Sequence, residues 1–281
     1  MGNIKFVRRS DNLNNTIPYL MSYFEAGAGI PVLFVHGYPL SSKLWEPQLL
    51  DLHDVARVIT PDLRGHGNSA HPSGPFSMEQ MADDCASLLH HMKIKERIIL
   101  CGLSMGGYVN FAFFRKFQDQ LAGMILTATR AAADTDQARD NRQTAIQTVT
   151  NEGIAPVFDA IRPKLLSPQN YQSNNVLVSQ VTEIMRSAVT KETIVSDQIA
   201  LMNRINSLPL LNQIDVPVLI IHGVDDQIVP IHEAQMMQSL IPASQLVILP
   251  QAGHLPNLEQ PGLFNAAVRK FINKIKGKNR Q

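Results

Sequence analysis

The chain has 281 residues, of which 44% are hydrophobic and 17% charged, a composition that excludes an intrinsically disordered protein. Its 25 Lys and Arg residues against 24 Asp and Glu leave a net charge of +1, so no bulk field attracts nucleic acid or an anionic membrane. The chain has no apolar run that could span a bilayer, no apolar signal segment after MGNIKFVRRS and only two cysteines. We therefore expect a cytoplasmic protein without a disulfide framework.

Short, continuously apolar runs alternate with longer amphipathic stretches, which is typical of a parallel sheet covered by helices on both faces. Between the second and third runs, apolar residues recur at helical spacing from Met78 to Met92, behind Ser77 as the helix N-cap. Right-handed crossovers would wind these units into one open sheet. The runs predict six strands: Pro31–His36, Arg57–Thr60, Arg97–Cys101, Met124–Ala128, Val218–His222 and Leu246–Leu249.

The alternation stops between residues 132 and 211, where the chain is rich in Gln, Asn, Asp and Thr and has no strand-like run. Apolar residues recur there at helical spacing, and glycine and proline divide the stretch into about four short helices. We expect residues 1–131 and 212–281 to form the core, and residues 132–211 to form a helical cap inserted between two late strands. Such a cap would cover the carboxyl edge of the sheet, where open α/β sheets bind ligands.

The run Gly102-Leu103-Ser104-Met105-Gly106-Gly107 follows a predicted strand and precedes a predicted helix. Gly-x-Ser-x-Gly in this position is typical of a nucleophile elbow, a turn so tight that side chains two residues either side of the serine would collide. Glycine at 102 and 106 removes those side chains, and the new helix directs its first N–H groups at the serine. Ser104 is therefore the candidate nucleophile.

A serine nucleophile needs a histidine base, and the base needs an orienting acid. Of nine histidines, His254 lies just beyond the last predicted strand, at the edge where the elbow also lies. Asp225 and Asp226 follow the preceding strand, and composition alone does not distinguish them. The chain order Ser, Asp, His is the order of α/β-hydrolases, unlike that of chymotrypsin or subtilisin.

An oxyanion hole needs two backbone N–H donors, one of them from the residue after the nucleophile. Met105 supplies that donor, and Tyr38, in the run His36-Gly37-Tyr38-Pro39 after the first predicted strand, is placed to supply the second. Tyr38, Met105 and Trp45, which is the only tryptophan, are also candidate substrate-pocket side chains. For Trp45, a role as a core anchor is an equal alternative.

Taken together, these motifs resemble the α/β-hydrolase superfamily over nearly the whole chain. Within it, the stretch from Ala252 to Pro261 is similar to bacterial carboxylesterases, cofactor-free haloperoxidase-type esterases and 3-oxoadipate enol-lactonases. The resemblance implies an α/β-hydrolase fold with a mostly parallel sheet. It also favours Asp226 over Asp225, because the family's acid usually falls three residues after the glycine that ends its strand.

These observations predict a serine carboxylic-ester hydrolase that acts on small, short-acyl esters through Ser104, His254 and Asp226. No cofactor is needed, and no His, Cys or Asp cluster has the spacing of a metal site. A small-molecule ester is the only partner we expect, with neither nucleic acid nor membrane. The alternatives are an enol-lactonase or perhydrolase with the same triad, and a receptor-like ligand-binding protein with negligible turnover.

Overall fold

The computed structural model describes residues 5–8, 20–71 and 74–278. Within this part of the chain eight strands form one sheet: β1 (Lys5–Arg8), β2 (Ser22–Ala26), β3 (Pro31–Val35), β4 (Arg57–Pro61), β5 (Ile98–Leu103), β6 (Leu121–Thr127), β7 (Val218–Gly223) and β8 (Ser244–Leu249). Their spatial order is β1-β2-β4-β3-β5-β6-β7-β8. The six strands predicted from continuous apolar runs are all present and all parallel, which confirms the predicted fold class.

The two strands β1 and β2 were not predicted, and they add an antiparallel edge beside β4. In β2 only Tyr23 is buried, so β2 lacks the continuous apolar run that indicates a strand covered on both faces. The observed boundaries also move at β6, which begins at Leu121 and ends before Ala128. Ala128 has a φ of +45°, a left-handed conformation that ends the strand.

The α-helices are α1 (Glu46–Leu52), α2 (Met78–His91), α3 (Met105–Phe117), α4 (Asp136–Glu152), α5 (Ala155–Leu165), α6 (Pro168–Ser173), α7 (Asn175–Ala188), α8 (Lys191–Met202), α9 (Ile231–Leu240), α10 (Pro256–Glu259) and α11 (Pro261–Lys278). Three 3₁₀ segments cover Ser42–Trp45, Gln118–Gln120 and Leu208–Gln213. Ser77 caps α2 by accepting a hydrogen bond from the Gln80 amide, as predicted.

The hydrophobic core has two layers, one on each face of the sheet, because successive strand residues point to opposite faces. Leu33 and Val35 of β3 belong to the layer that contains α2 and α3. Val32 and Phe34 belong to the opposite layer, which contains α1 and α11. The carboxyl ends of the strands remain free to carry the loops of a site.

Five helices, α4 to α8, lie between β6 and β7, where about four were predicted. Pro163 lies inside α5 and does not divide it, whereas Pro168 begins α6. Two further breaks come from polar N-caps, since Asn174 caps α7 and Thr190 forms a capping box at α8. In a stretch this rich in polar residues, these caps do not stand out from the sequence. The part of the chain that the structure describes contains no helix that could span a membrane.

Candidate active site

Ser104 lies at the turn between β5 and α3, and its backbone is strained. Its φ of +53° and ψ of −112° lie outside the regions that a serine ordinarily adopts. The amide of Ser104 donates to Thr127 at 2.9 Å, and its carbonyl accepts from the Thr129 hydroxyl at 2.8 Å. These contacts with the end of β6 hold the strained turn in place, which is how strain persists at functional sites.

The two elbow glycines allow the close packing predicted for them. A Cβ atom on Gly102 would lie 2.2 Å from the carbonyl oxygen of Gly106, and a Cβ on Gly106 would lie 2.3 Å from that of Val35. Both positions therefore require glycine. The elbow is formed by backbone of β5, α3 and β3 in direct contact.

The loop after β7 and the loop after β8 bring Asp226 to His254. The Nδ1 atom of His254 lies 2.9 Å from Oδ2 of Asp226 and 3.1 Å from Oδ1. The two loops can approach because a Cβ on Gly223, at the end of β7, would lie 2.2 Å from the carbonyl oxygen of Gly253. Both side chains are almost completely buried, 1% exposed for Asp226 and 2% for His254.

Asp226 is held as a carboxylate. Burial alone would raise the pKa of its carboxyl, but the charge and hydrogen bond of His254 outweigh burial and hold that pKa below its ordinary value. The backbone amides of Ile228 and Val229 donate to Oδ1 at 2.8 and 3.0 Å and act in the same direction. Asp225, by contrast, is exposed, and its amide donates to the Ala252 carbonyl at 2.9 Å.

A second buried histidine, His222, lies behind the acid, with its Nε2 atom 3.6 Å from Oδ2 of Asp226. Nε2 also lies 2.9 Å from the carbonyl oxygen of Val229, to which it must donate. Burial lowers the pKa of His222 below its ordinary value. A neutral His222 therefore leaves His254 as the histidine that pairs with the Asp226 charge.

Tyr38 and Met105 lie on the two segments from which an oxyanion hole would be formed. Met105 begins α3, so its amide is among the first four of a helix, which have no partner within it. Tyr38 lies in the turn after β3, which the Leu40 amide closes by donating to Gly37 at 3.0 Å. A Cβ on Gly37 would lie 3.2 Å from Cβ of Ser104, so this turn passes directly beside the nucleophile.

Ser104, His254, Tyr38 and Met105 line one cavity of about 440 Å³, between the sheet edge and helices α4, α5 and α8. Its volume is in the range of small-molecule sites. Apolar side chains form part of the wall: Tyr108, Ala138, Val157, Ala160, Ile161, Leu201 and Ile228. Asp226 lies behind His254, outside the lining.

The cavity also carries charged side chains that the sequence analysis missed. Arg130, Arg142 and Lys164 line it, and Asp134 is the only carboxylate among the described residues of the lining. Arg142 and Arg204 both pair with Asp134. Burial alone would raise the pKa of Asp134, but these two guanidinium groups outweigh it and hold the pKa below its ordinary value. The lining thus carries three cations against one carboxylate, and Arg130 also lies 3.8 Å from Glu233.

Trp45 does not line the cavity, so the pocket role predicted for it is wrong. The side chain is completely buried on the face of the sheet that contains α1 and α11. Its ring packs 5.0 Å from that of Phe34 and 6.1 Å from that of Phe264, between centroids. Trp45 ends the 3₁₀ segment before α1, and that segment places the indole in the core.

Glu259 connects the His254 loop to the stretch between β6 and β7, a contact that no sequence motif predicts. Its Oε1 accepts from the Gly253 amide at 2.6 Å, and its Oε2 from the Ser167 amide at 2.7 Å and from Asn170 Nδ2 at 2.8 Å. Burial raises the pKa of Glu259, although these donors lower it. Among the described residues, no group of three His, Cys, Asp or Glu side chains could hold a metal ion.

A family model described as the alpha/beta hydrolase fold matches residues 30–261. The chain belongs to the α/β-hydrolase family. A non-heme haloperoxidase from Rhodococcus erythropolis is 28% identical to this hydrolase over 270 residues, which cover 89% of this chain and 94% of that protein. The 3-oxoadipate enol-lactonase 2 of Acinetobacter baylyi is 28% identical over 244 residues, or 87% of this chain and 89% of its own length.

Solved structures similar to this hydrolase include a thermophilic esterase from Thermogutta terrifontis with malate bound. It is 37% identical with a TM-score of 0.90, and the match covers 96% of this chain and 99% of the esterase. An enol-lactonase from Burkholderia xenovorans is 25% identical with a TM-score of 0.84, over 91% of this chain and 97% of the lactonase. The hydrolase thus has esterase, lactonase and haloperoxidase-type neighbours.

Proposed function

We propose that the protein is a serine hydrolase of small carboxylic esters that forms an acyl-enzyme on Ser104. The observation that carries this proposal is the buried contact of Asp226 with His254, which lines the same cavity as the strained Ser104. A carboxylate, an imidazole and a hydroxyl in this arrangement are the parts of a nucleophilic triad. The esterase neighbour supports the same class of reaction.

In the proposed reaction, the Ser104 hydroxyl attacks the ester carbonyl while His254 takes its proton. The amides of Tyr38 and Met105 donate to the oxygen that becomes negative in the tetrahedral intermediate. His254 then protonates the leaving alcohol, and Asp226 keeps its imidazole in the required tautomer. Water attacks the acyl-enzyme with His254 again acting as base, which releases the acid and restores Ser104.

We expect the preferred substrates to have short acyl chains of roughly two to six carbons. Each added methylene gains about 0.8 kcal/mol of burial while space remains, and causes strain afterwards. The cavity volume of about 440 Å³ supports this limit, since it suits a small molecule rather than a long lipid chain. Steady-state kinetics on p-nitrophenyl esters of increasing acyl-chain length tests this preference. A kcat/KM that rises steadily to long chains would contradict it.

A second candidate function is the hydrolysis of a carboxylate-bearing ester or lactone, as an enol-lactonase would perform. The excess of cations in the cavity lining favours it. Arg142 pairs with Asp134 and Arg130 lies 3.8 Å from Glu233, so Lys164 is the cation best placed to attract and orient an anionic substrate. The names of two similar proteins, both enol-lactonases, and the malate bound to the esterase neighbour point in the same direction.

A matched pair of substrates distinguishes the two candidates. In the 4-methylpentanoyl ester of p-nitrophenol, an isopropyl group replaces the carboxylate of the succinyl ester at nearly the same volume. If cations of the cavity bind the substrate carboxylate, kcat/KM should be higher for the succinyl ester than for the neutral ester. This difference should shrink as the salt concentration rises and in Lys164→Gln. A preference for the neutral ester would support the simple esterase.

The proposed function is tested by Ser104→Ala. Hydrolysis should fall to the background rate while the thermal unfolding temperature stays near that of the wild type, since the hydroxyl acts in chemistry and not in packing. Ser239→Ala is the control, because Ser239 is an exposed helical serine that donates within its own helix. Substrate binding without turnover by the wild type would instead indicate a receptor-like protein.

A further inference from the structure

His66 and Asp197 form a completely buried pair between two distant parts of the chain. His66 lies in the loop after β4, and Asp197 lies in α8, between β6 and β7. The Nε2 atom of His66 is 3.0 Å from Oδ2 of Asp197, and both side chains are 0% exposed. Because removing two charged groups from water is costly, a pair this deeply buried is weak evidence for stability alone.

The contacts of His66 determine its protonation. Its Nδ1 atom lies 2.9 Å from the Arg64 carbonyl oxygen, which can only accept, so Nδ1 carries a proton. Nε2 faces the Asp197 carboxylate, 3.0 Å away. Burial alone lowers the pKa of His66, but the charge and hydrogen bond of Asp197 outweigh burial and raise it. Burial raises the pKa of Asp197.

On one side, the pair packs against the residue that begins the Tyr38 turn. The rings of His66 and His36 lie 4.8 Å apart between centroids. Nδ1 of His36 donates to the carbonyl of Gly37 at 3.0 Å, and Nε2 accepts from the Leu63 amide at 3.0 Å. The His36 ring therefore fixes the peptide unit that carries the amide of Tyr38.

On the other side, the charge of Asp197 acts on the side chain of Tyr38. Burial raises the pKa of the Tyr38 hydroxyl well above its ordinary value, and the Asp197 charge raises it further. Gln198, the next residue of α8, interacts with that hydroxyl and lines the active-site cavity. Gln198 also accepts from Arg142 Nη1 at 3.2 Å. The pair thus meets the Tyr38 turn at His36, and the residue after Asp197 interacts with the Tyr38 hydroxyl.

We propose that the His66–Asp197 pair positions the Tyr38 turn. The contact that packs α8 against the loop after β4 would then also place the Tyr38 amide as an oxyanion-hole donor. Neither residue lines the cavity, so both are positioning residues rather than catalytic ones. The inference rests on the proposed function, because it assigns to Tyr38 the stabilisation of an oxyanion on a Ser104 adduct. Loss of the pair should weaken binding of the transition state more than binding of the substrate.

The main competing explanation is that the pair only fastens α8 to the core. Other contacts already connect the His66 loop to this region. The Thr193 hydroxyl donates to the Gly65 carbonyl at 2.8 Å, and the Gly67 amide donates to that of Ala188 at 2.7 Å. These contacts remain when the pair is broken, so a variant of Asp197 tests placement of the turn rather than docking.

The experiment compares Asp197→Asn and His66→Gln with Thr193→Val as the control. Thr193→Val removes a buried contact of the same helix with the same loop, at a residue outside the cavity. Since loss of a whole oxyanion donor costs about 100- to 1,000-fold in kcat, we expect a displaced donor to cost about 10- to 100-fold in both test variants. KM should change less than about threefold, and the control should keep its kcat even where its unfolding temperature falls.

A second measurement, the inhibition constants of two ketones, tests the oxyanion hole directly. A trifluoromethyl ketone forms a tetrahedral adduct with a serine nucleophile, whereas the matching methyl ketone binds mainly as a substrate analogue. The inhibition constant of the trifluoromethyl ketone should weaken in Asp197→Asn by about the factor lost in kcat/KM, with little change for the methyl ketone. If Asp197→Asn does not fold, the same inhibition constants are measured in His66→Gln, which breaks the pair at its other residue.

Three results would overturn the proposal: unchanged kcat in folded Asp197→Asn or His66→Gln, equal weakening of both ketones, or the same loss of kcat in Thr193→Val. Failure of both test variants to fold would show a role in folding and would also overturn it. Failure of the proposed function gives a different result. In that case the wild type itself hydrolyses no ester, or Ser104→Ala retains full activity.

Discussion

Two adjacent aspartates follow β7, and they lie in opposite environments. The Asp226 side chain is 1% exposed and contacts His254, whereas Asp225 is exposed. Composition does not separate them, and the preference for Asp226 came from the family's spacing. The physical difference lies in the loop, since the amides of Ile228 and Val229 turn back onto the Asp226 carboxylate.

Asp226→Asn should lower kcat by about 10⁴-fold, the loss seen when the orienting carboxylate of a serine protease is removed, because the amide favours the wrong imidazole tautomer. Asp225→Asn is the matched control one residue away, and it should change kcat less than about twofold. Steady-state kinetics on a short-chain ester measures both. A larger loss in Asp225→Asn would mean that the other carboxylate orients the base.

The lowered pKa of Asp226 also predicts how stability depends on pH. A carboxyl whose pKa is lower in the folded than in the unfolded state contributes its full stability above the unfolded value, about 3.9. That contribution is lost as the pH falls through the folded value. Urea unfolding should therefore show the wild type's advantage over Asp226→Asn narrowing below about pH 4. An advantage that widens with acidification would contradict the direction of the shift.

At the scale of elements, the strand–turn–helix unit around Ser104 depends on backbone contact. Gly106→Ala should destabilise the fold by about 3 kcal/mol or more, because the new Cβ would lie 2.3 Å from the Val35 carbonyl oxygen. Gly262→Ala is the control, since Gly262 lies in α11 with no other atom within 4 Å of the added Cβ. It should stabilise by about 0.5–1 kcal/mol in denaturant unfolding. Equal effects would show that the elbow tolerates a side chain.

The elements that the sequence predicted well are those whose signal is local. Six parallel strands follow from continuous apolar runs, and the elbow follows from glycine spacing beside a strand. Strand β2 was missed because it buries only Tyr23 and so has no continuous apolar run. Trp45 was misplaced because an apolar ring suits a pocket wall and a core equally well. The His66–Asp197 contact joins residues far apart in sequence, and neither residue's neighbours indicate it.

At the scale of the whole molecule, the net charge is only +1, whereas the lining of one cavity carries three cations and one carboxylate. Arg130, Arg142 and Lys164 gather around the cavity that contains Ser104 and His254. Most of these cations lie on helices between β6 and β7, whereas Ser104 and His254 lie on loops of the sheet. Under the proposed function, the helices between β6 and β7 would contact the substrate, and the loops of the sheet would carry out the chemistry.

The most direct test of this account is to trap the acyl-enzyme. The protein is mixed with p-nitrophenyl acetate and quenched in acid within the first turnovers. It is then digested, and the masses of its peptides are measured by mass spectrometry. We predict one acetyl group on the peptide that contains Ser104, and no such adduct in Ser104→Ala. Acetylation at another residue would contradict Ser104 as the nucleophile. So would turnover by the wild type without any adduct, together with full activity in Ser104→Ala.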